Sequence, residues 1–255
     1  MDRYRIYALK YAGPAESSGA LLMWLMDWER TVTRNYYLWC IKGPEEAIVV
    51  DAGTSHDMAL ERKLIGYVSP ADVLYRIGVK SEEVRHVILT HLHWDHMGGV
   101  RLFPKATFYV QESEYSFWVK DSLIHRPVFK HFIDWSASSY LASLEGSTRL
   151  LCLRGDQEVL PGIHCLDAPG HTIGLQAVAV NTARGTAILG SDCAHLFRNY
   201  SEDWPSAFIF DLAAWLRSYE KLRSRVSSQD LLFPGHDPLM SANYREVAEG
   251  VTELV

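Results

Sequence analysis

The chain has 255 residues, of which 48% are hydrophobic, and this is enough apolar material for one large core in a single domain spanning residues 1–255. The formal net charge is -6 and no run of lysine and arginine occurs, so nucleic acid is not an expected partner. The longest dense apolar stretch, Leu21–Met26, is far too short to cross a membrane.

Short runs of β-branched and other apolar residues predict eight strands along the chain. They lie at Tyr36–Ile41, Ala47–Val50, Val84–Leu89, Thr107–Val110, Ile163–Leu166, Leu175–Val180, Thr186–Leu189 and Leu231–Phe233. Helices are predicted at Pro70–Ile77, at Glu112–Lys120 and, most clearly, from Asp211 onward, where apolar residues recur at helical spacing. Strands interspersed with helices indicate an α/β or α+β domain in which helices cover the sheets.

The four cysteines, Cys40, Cys152, Cys165 and Cys193, show neither CxxC pairs nor the spacing of a disulfide framework. In a chain of this length the pattern indicates reduced thiols. The N-terminal segment carries charges where a signal peptide needs an apolar run. We therefore expect a cytoplasmic protein.

Four of the predicted strands end at an acidic residue or a histidine. Asp51 follows the strand at Ala47–Val50. Three later strands, at Val84–Leu89, Thr186–Leu189 and Leu231–Phe233, are followed in the same way by His91, Asp192 and His236. Three of these strand ends lie in turns that contain glycine. Binding and catalytic sites are often assembled from loops at one edge of a rigid sheet, so this edge is the candidate functional site.

The motif HLHWDHMGG contains His91, His93, Asp95 and His96. Imidazole and carboxylate groups are good ligands for zinc-like cations. Side chains alternate along an extended chain, so His91 and His93 project to the same side and can share one metal. A turn into a helix after them carries Asp95 and His96 to a neighbouring position.

Three further ligand-type residues lie downstream. His171 stands in APGHTIG, Asp192 in GSD and His236 in FPGHD. A two-metal hydrolytic site needs about seven ligands, with one group bridging the metals. If the histidine cluster were a chance feature of the surface, these downstream histidines and this aspartate would not be expected.

The motifs HLHWDH, APGHTIG, GSD and FPGHD, which extend with Asp51 to His236, resemble those of the metallo-β-lactamase superfamily. The resemblance implies an αββα sandwich, with two mixed β-sheets flanked by helices and a site at the edge between the sheets. It assigns one metal to His91, His93 and His171, the other to Asp95, His96 and His236, and the bridging position to Asp192. Asp51 matches an aspartate that orients a ligating histidine or the ligand loop. The thiol of Cys193 is expected to turn away from the metals.

Within that superfamily the chain is most similar to the N-acyl homoserine lactonase group, in size, in the wording HLHWDHMGG and in the spacing from Asp192 to His236. The resemblance implies a quorum-quenching enzyme that opens an N-acyl homoserine lactone or another small cyclic ester by attack of a metal-bridging hydroxide. Coordination lowers the pKa of water from 15.7 to roughly 7, and Asp95 is placed to pass a proton to the leaving oxygen. Two divalent ions are implied, zinc first, although these ligand types also accept iron, manganese or cobalt.

The lactonases carry a tyrosine three residues after the bridging aspartate, where it contacts the substrate, and this chain has His195 there. We expect His195 to donate a hydrogen bond to the carbonyl or the developing oxyanion, with Tyr200 as the substitute. Trp94 is expected to line the pocket, and Arg198 to meet a substrate carboxylate.

The lactonases use their N-terminal region to form the pocket for an acyl chain. Met23, Trp24 and Met26 suit such an adaptable apolar wall. Core packing or a homodimer interface is the alternative for this segment. The remaining histidines have no motif around them and are expected to be ordinary surface or core residues: His56, His86, His125, His131 and His164.

Three other functions are compatible with the same motifs. A thioesterase or another carboxyl-ester hydrolase would use the same two-metal site. A mononuclear iron dioxygenase acting on persulfides would use only one half of it. A binding protein without catalytic activity is disfavoured, because we would expect an incomplete ligand set in it.

Overall fold

The computed structural model describes residues 4–255 of the chain. The strands are β1 (Arg5–Ser18), β2 (Thr31–Lys42), β3 (Ala47–Val50), β4 (His86–Ile88), β5 (Thr107–Gln111), β6 (Leu150–Leu153), β7 (Gln157–Leu160), β8 (Ile163–Asp167), β9 (Gln176–Thr182), β10 (Gly185–Ser191), β11 (Leu232–Pro234), β12 (Arg245–Ala248) and β13 (Val251–Glu253). Each of the eight predicted strands coincides with one of these.

The helices are α1 (Gly19–Leu22), α2 (His56–Glu61), α3 (Pro70–Tyr75), α4 (Trp94–Met97), α5 (Glu112–Tyr115), α6 (Pro127–Lys130), α7 (Trp135–Ser143), α8 (Phe197–Glu202), α9 (Leu212–Arg225) and α10 (Leu239–Ala242). A π-helical turn at Ser116–Lys120 continues α5, and 3-10 turns lie at Ser81–Glu83, Val100–Leu102, Ser122–His125 and Gln229–Leu231. All three predicted helices are present. Within residues 4–255 no helix has the length and apolar character needed to span a membrane.

Two mixed sheets form the centre of the molecule. Among the described residues, the larger sheet has the order β12-β13-β1-β2-β3-β4-β5-β6, and the smaller has the order β11-β10-β9-β8-β7. In the larger sheet, β3, β4, β5 and β6 run parallel to one another, whereas β2 and β3 are antiparallel. In the smaller sheet, β10 and β11 are the parallel pair.

The sheets pack face to face because their strands alternate two apolar faces. Along β3, Ile48 and Val50 lie in the cluster between the sheets, whereas Val49 packs on the opposite face under the helices. The outer face of the smaller sheet is covered by α9, through Trp215, Tyr219 and others. The predicted αββα sandwich is therefore confirmed. The single domain over residues 1–255 stays a prediction, which the core shared by both sheets supports.

The strand ends that carry the ligand-type residues lie along one edge of the sandwich. The carboxyl ends of the parallel strands β3 and β4 lie side by side, and so do those of β10 and β11. Asp51 directly follows β3 and Ser191 ends β10, and their φ angles are 62° and 46°. Left-handed backbone is uncommon for residues other than glycine and occurs often at functional sites.

Candidate metal centre

The seven predicted metal ligands lie together at this edge, although they come from distant parts of the chain. His91 and His93 follow β4, α4 carries Asp95 and His96, and His171 lies in the loop between β8 and β9. Asp192 and His236 follow β10 and β11. None of the seven side chains belongs to a residue more than 7% exposed.

Asp192 stands at the centre of the cluster. Its Oδ1 lies 3.4 Å from His96 Nε2 and 3.1 Å from His236 Nε2. Its Oδ2 lies 3.5 Å from His171 Nε2 and 4.0 Å from His91 Nε2. Each oxygen therefore faces a different group of imidazoles, as a carboxylate between two cations must.

The ligand atoms form two triads. Those of His91, His93 and His171 lie within 4.8 Å of one another, and so do those of Asp95, His96 and His236. Asp192 makes a further group of this kind with His91 and His96. The structure thus brings together the residues that the resemblance assigns to each metal.

Several ligand atoms are buried without a hydrogen-bond partner among the described residues. They are the Nε2 atoms of His91, His96 and His236, and Oδ1 of Asp192. A buried polar atom without a partner is unfavourable. A pair of divalent cations would satisfy all of these atoms, and nitrogen and carboxylate oxygen are ligands that such cations accept. The residues therefore fit two metal ions.

Hydrogen bonds on the far side of the rings orient the histidines. The Nδ1 of His236 donates to the carbonyl oxygen of Asn35 at 2.7 Å, and the Nδ1 of His171 donates to that of Phe208 at 3.0 Å. A ring nitrogen that donates in this way leaves the other nitrogen free to bind a metal. In both residues Nε2 faces Asp192, and that of His171 also lies 3.1 Å from His93 Nδ1.

Asp51 connects the ligand loop to the sheet. One oxygen accepts from the backbone N–H of Thr90 at 2.7 Å, and the other accepts from the Thr90 hydroxyl at 2.9 Å and from His96 Nδ1 at 2.7 Å. The side chain therefore orients a predicted ligand and also holds the start of the loop after β4. The resemblance implies one task or the other for this aspartate, and its contacts serve both.

The electrostatics of the cluster favour cations. Burial lowers the pKa of His91 and His93 well below the usual value, and lowers that of His171 to about 4. These rings are neutral at neutral pH, which is the form that binds metals. Burial also disfavours charge on His96, but Asp192, Asp51 and Asp95 outweigh it and raise the pKa to about 10. A cation that binds His96 must therefore displace a proton.

Glu114 holds two of the ligand loops together, although no motif in the sequence marks it. Its carboxylate is buried and accepts from the backbone N–H groups of Leu92 and Gly174, each at 2.9 Å. Leu92 lies between two predicted ligands, and Gly174 is three residues after His171. Burial raises the pKa of Glu114 to about 7, although the N–H group of Leu92 lowers it.

A cavity of about 170 Å³ opens above the cluster. Trp94, Asp95 and His195 line it, as predicted for a pocket near the metals. No sequence motif marks the rest of the wall, which includes Arg34, Tyr36, Arg62, His131, Phe132 and Phe208. His131 is exposed, as expected for a surface histidine, and it also lines the cavity.

A larger open depression of about 870 Å³ lies at the opposite end of the eight-stranded sheet, around Lys42 and Arg85. Among residues 4–255, the groups of metal-ligating side chains lie at the small cavity and not at this depression. We therefore place the candidate site at the smaller cavity.

His195 lies directly beside the bridging position. Its Nε2 is 3.2 Å from Asp192 Oδ2, and its Nδ1 is buried without a hydrogen-bond partner among the described residues. The ring stacks on Phe208, with the centroids 5.5 Å apart. Burial lowers the pKa of His195 well below the usual value, so the ring is neutral and carries one N–H group.

Tyr200 does not reach the cavity, which corrects its expected role as a substitute for His195. It packs against Tyr219 at 5.1 Å between ring centroids, in the apolar cluster under α9. Cys193 lies in the same cluster, where burial raises the pKa of its thiol to about 12. The thiol therefore turns away from the metals, as expected.

The predicted apolar wall and Arg198 also lie outside the cavity lining, and these expectations are corrected. Met23 is fully buried, and its sulfur accepts from Asn199. The N-terminal segment of Met23, Trp24 and Met26 packs beside the loop after α8, where the indole of Trp204 donates to the carbonyl oxygen of Trp24. Arg198 is paired with Asp27 and Glu202, so its charge is already neutralised within the fold.

Comparisons with known proteins agree with this architecture. Residues 31–125 match the model of the metallo-beta-lactamase superfamily. An N-acyl homoserine lactonase of a Bacillus species is 28% identical over 218 residues, which cover 78% of this chain and 81% of that protein.

Solved structures share the fold. An N-acyl homoserine lactone hydrolase with N-hexanoyl-L-homoserine bound at its metal centre matches with a TM-score of 0.78 and 21% identity, covering 97% of this chain and 98% of that one. A dizinc quorum-quenching lactonase matches with a TM-score of 0.73 and 18% identity, covering 92% and 88%. The chain is therefore similar to the metallo-beta-lactamase superfamily over residues 31–125, and to a protein named N-acyl homoserine lactonase over 78% of its length.

Proposed function

We propose that this protein is a metal-dependent hydrolase that opens a lactone, either an N-acyl homoserine lactone or another small cyclic ester. The observation that carries the proposal is the position of Asp192 between two buried triads of ligand atoms, each facing one carboxylate oxygen. The similarity to proteins named N-acyl homoserine lactonases supports the lactone as substrate.

Two divalent cations, zinc first, are proposed to bind here. Cations held in this way activate water near neutral pH and polarise a carbonyl group. His91, His93 and His171 would hold one of them, and Asp95, His96 and His236 the other, with Asp192 shared. Because both triads are complete and equally buried, a two-metal hydrolase is favoured over a mononuclear iron dioxygenase.

The chain's own residues have separate proposed tasks in ring opening. Asp95 lines the cavity and is placed to hand a proton to the ring oxygen as the carbon–oxygen bond breaks. His195, a neutral imidazole beside Asp192, is placed to donate a hydrogen bond to the carbonyl oxygen, where negative charge develops. The aromatic wall of Tyr36, Trp94 and Phe208 keeps bulk water from the reacting group.

Metal-dependent lactone opening is the first prediction. Metal-loaded protein should release protons from short-chain and long-chain homoserine lactones or from simple aromatic lactones, and chelator-stripped protein should not until zinc is restored. An acyl thioester in the same panel separates the thioesterase alternative, which uses the same ligands. Hydrolysis of the thioester alone, by protein with two metals bound, would contradict the lactonase proposal.

Replacing His195 by phenylalanine should leave both metals bound and lower kcat by tenfold to a thousandfold, on the order of the loss of one oxyanion donor. Phenylalanine keeps an aromatic ring to stack on Phe208 and removes both ring nitrogens, including the N–H donor. Metal analysis and steady-state kinetics on the same preparation test this. The matched control is His56→Phe, because His56 is exposed and is not among the residues that line the cavity. Unchanged kinetics in His195→Phe would make His195 a packing residue.

Glu114→Gln should weaken metal binding by about tenfold or more, because supporting contacts of ligands typically contribute this much. In glutamine an NH₂ group replaces one of the two carboxylate oxygens, and it donates hydrogen bonds instead of accepting them. The backbone N–H of either Leu92 or Gly174 therefore loses its acceptor. The measurement is competition for zinc with a chromogenic chelator. Glu112→Gln is the control on the same helix, since Glu112 pairs with Arg154 at the surface. Equal zinc affinity in both variants would show that Glu114 does not support the ligand loops.

A further inference from the structure

Two arginines line the cavity above the metal cluster, and neither is explained by the proposed metal chemistry. Arg34 lies on β2 and Arg62 directly follows α2. Within residues 4–255, neither guanidinium forms an ion pair with an acidic side chain. Arg198, in contrast, forms ion pairs with Asp27 and Glu202.

Arg34 is the arginine with an unused donor. Its Nε is buried and has no hydrogen-bond partner among the described residues, and a buried unsatisfied donor is unfavourable. The position of Arg34 is well defined, because the next residue, Asn35, exchanges two hydrogen bonds with His236. Its guanidinium lies over the ring of Tyr36, 5.1 Å from the centroid. Arg34 is thus held close to the metal cluster with a donor available.

Arg62 lines the same cavity beside Trp94. Its guanidinium lies 5.1 Å from the ring centroid of Trp94, and the rings of Trp94 and Tyr36 are 5.8 Å apart. It donates to the carbonyl oxygen of His131 at 2.5 Å. Arg62 is therefore positioned by protein contacts and adds positive charge, whereas Arg34 keeps donors for a ligand.

The charge and size of the cavity limit its ligand. Two divalent cations with a bound hydroxide would balance the carboxylates of Asp51, Asp95 and Asp192. The positive charge that remains at the cavity is then that of Arg34 and Arg62, and it attracts anions. The volume of about 170 Å³ is below the ~300–1,000 Å³ of pockets for drug-sized ligands. A small anionic substrate fits these properties better than a neutral lactone with a long acyl chain.

We propose that the substrate is a small lactone or ester that carries a carboxylate, which Arg34 binds with support from Arg62 while the reacting carbonyl lies at the metal cluster. This inference rests on the proposed hydrolase function. A planar guanidinium pairs well with a carboxylate through two parallel hydrogen bonds. In the reaction, water adds to the ring carbonyl, the ring carbon–oxygen bond breaks and the ring oxygen takes a proton, which gives a hydroxy diacid.

Two γ-lactones of nearly the same shape test the inference. They are 5-oxotetrahydrofuran-2-carboxylate, which is anionic, and its neutral carboxamide. The metal-loaded wild type should show a kcat/KM for the carboxylate about tenfold to a hundredfold higher, in line with one or two hydrogen bonds to a charged group. In Arg34→Gln this preference should collapse. Arg34→Lys, which keeps charge but not the planar fork, should show an intermediate preference.

Arg217→Gln is the matched control, because it removes the same charge from the exposed surface of α9 and should leave both rates unchanged. Metal content and circular dichroism of each variant show whether the fold and the site persist. Equal kcat/KM for the two lactones in the wild type, or a preference that survives in Arg34→Gln, would overturn the inference.

Calorimetry with glutarate separates this inference from the proposed function. We expect the metal-loaded wild type to bind glutarate at least tenfold more tightly than Arg34→Gln. If that difference is found and no lactone is opened, the carboxylate site stands and the hydrolase proposal fails. If lactones are opened without any preference for the carboxylate, the hydrolase proposal stands and this inference fails.

Discussion

The site depends on one constraint, which is that the two oxygens of Asp192 must face two sets of buried imidazoles at the same time. The distances from these oxygens to the nearest Nε2 atoms run from 3.1 to 4.0 Å. Imidazoles and a carboxylate at such distances, shielded from water, leave donors and acceptors unpaired. Cations between them would pair these atoms, and much of the surrounding structure serves to hold the cluster.

The sandwich architecture meets this constraint by placing rigid strand ends next to each other. Parallel neighbours β3 and β4, and β10 and β11, deliver their following loops to one edge. Contacts behind the ligands then fix the direction of their side chains. Asp51 holds His96 and Asn35 holds His236. Glu114 joins the loop after β4 to the loop between β8 and β9. Asp51 and Ser191, whose backbone is left-handed, lie at the same edge.

Local patterns in the sequence indicated an α/β or α+β domain and the candidate ligand residues. The αββα arrangement and the division of the seven ligands between two metals followed from the family resemblance. Each ligand stands in a short motif after an apolar strand, and strand alternation is visible within a few residues. The long first strand, β1, was missed because Gly13 and Pro14 interrupt its apolar pattern and its pairing with β2 shifts register there. The π-helical turn after α5 has no separate signature in the sequence either.

The cavity wall was mostly not predictable, because it depends on which distant segments meet. Arg34 belongs to a strand, Arg62 follows a short helix, and Phe208 lies in a loop, so no motif connects them. The segment with Met23 and Trp24 looked suitable for a pocket by composition alone, yet it packs against the loop after α8. Arg198 illustrates the same difficulty, since its two acidic partners lie 171 and 4 residues away.

The most direct test of the central claim is an anomalous difference map from crystals of zinc-loaded protein, measured on both sides of the zinc absorption edge. The account predicts two peaks per chain with Asp192 between them. One should be bound by His91, His93 and His171, and the other by Asp95, His96 and His236. A single peak, or zinc bound elsewhere while this cluster has none, would contradict the two-metal centre.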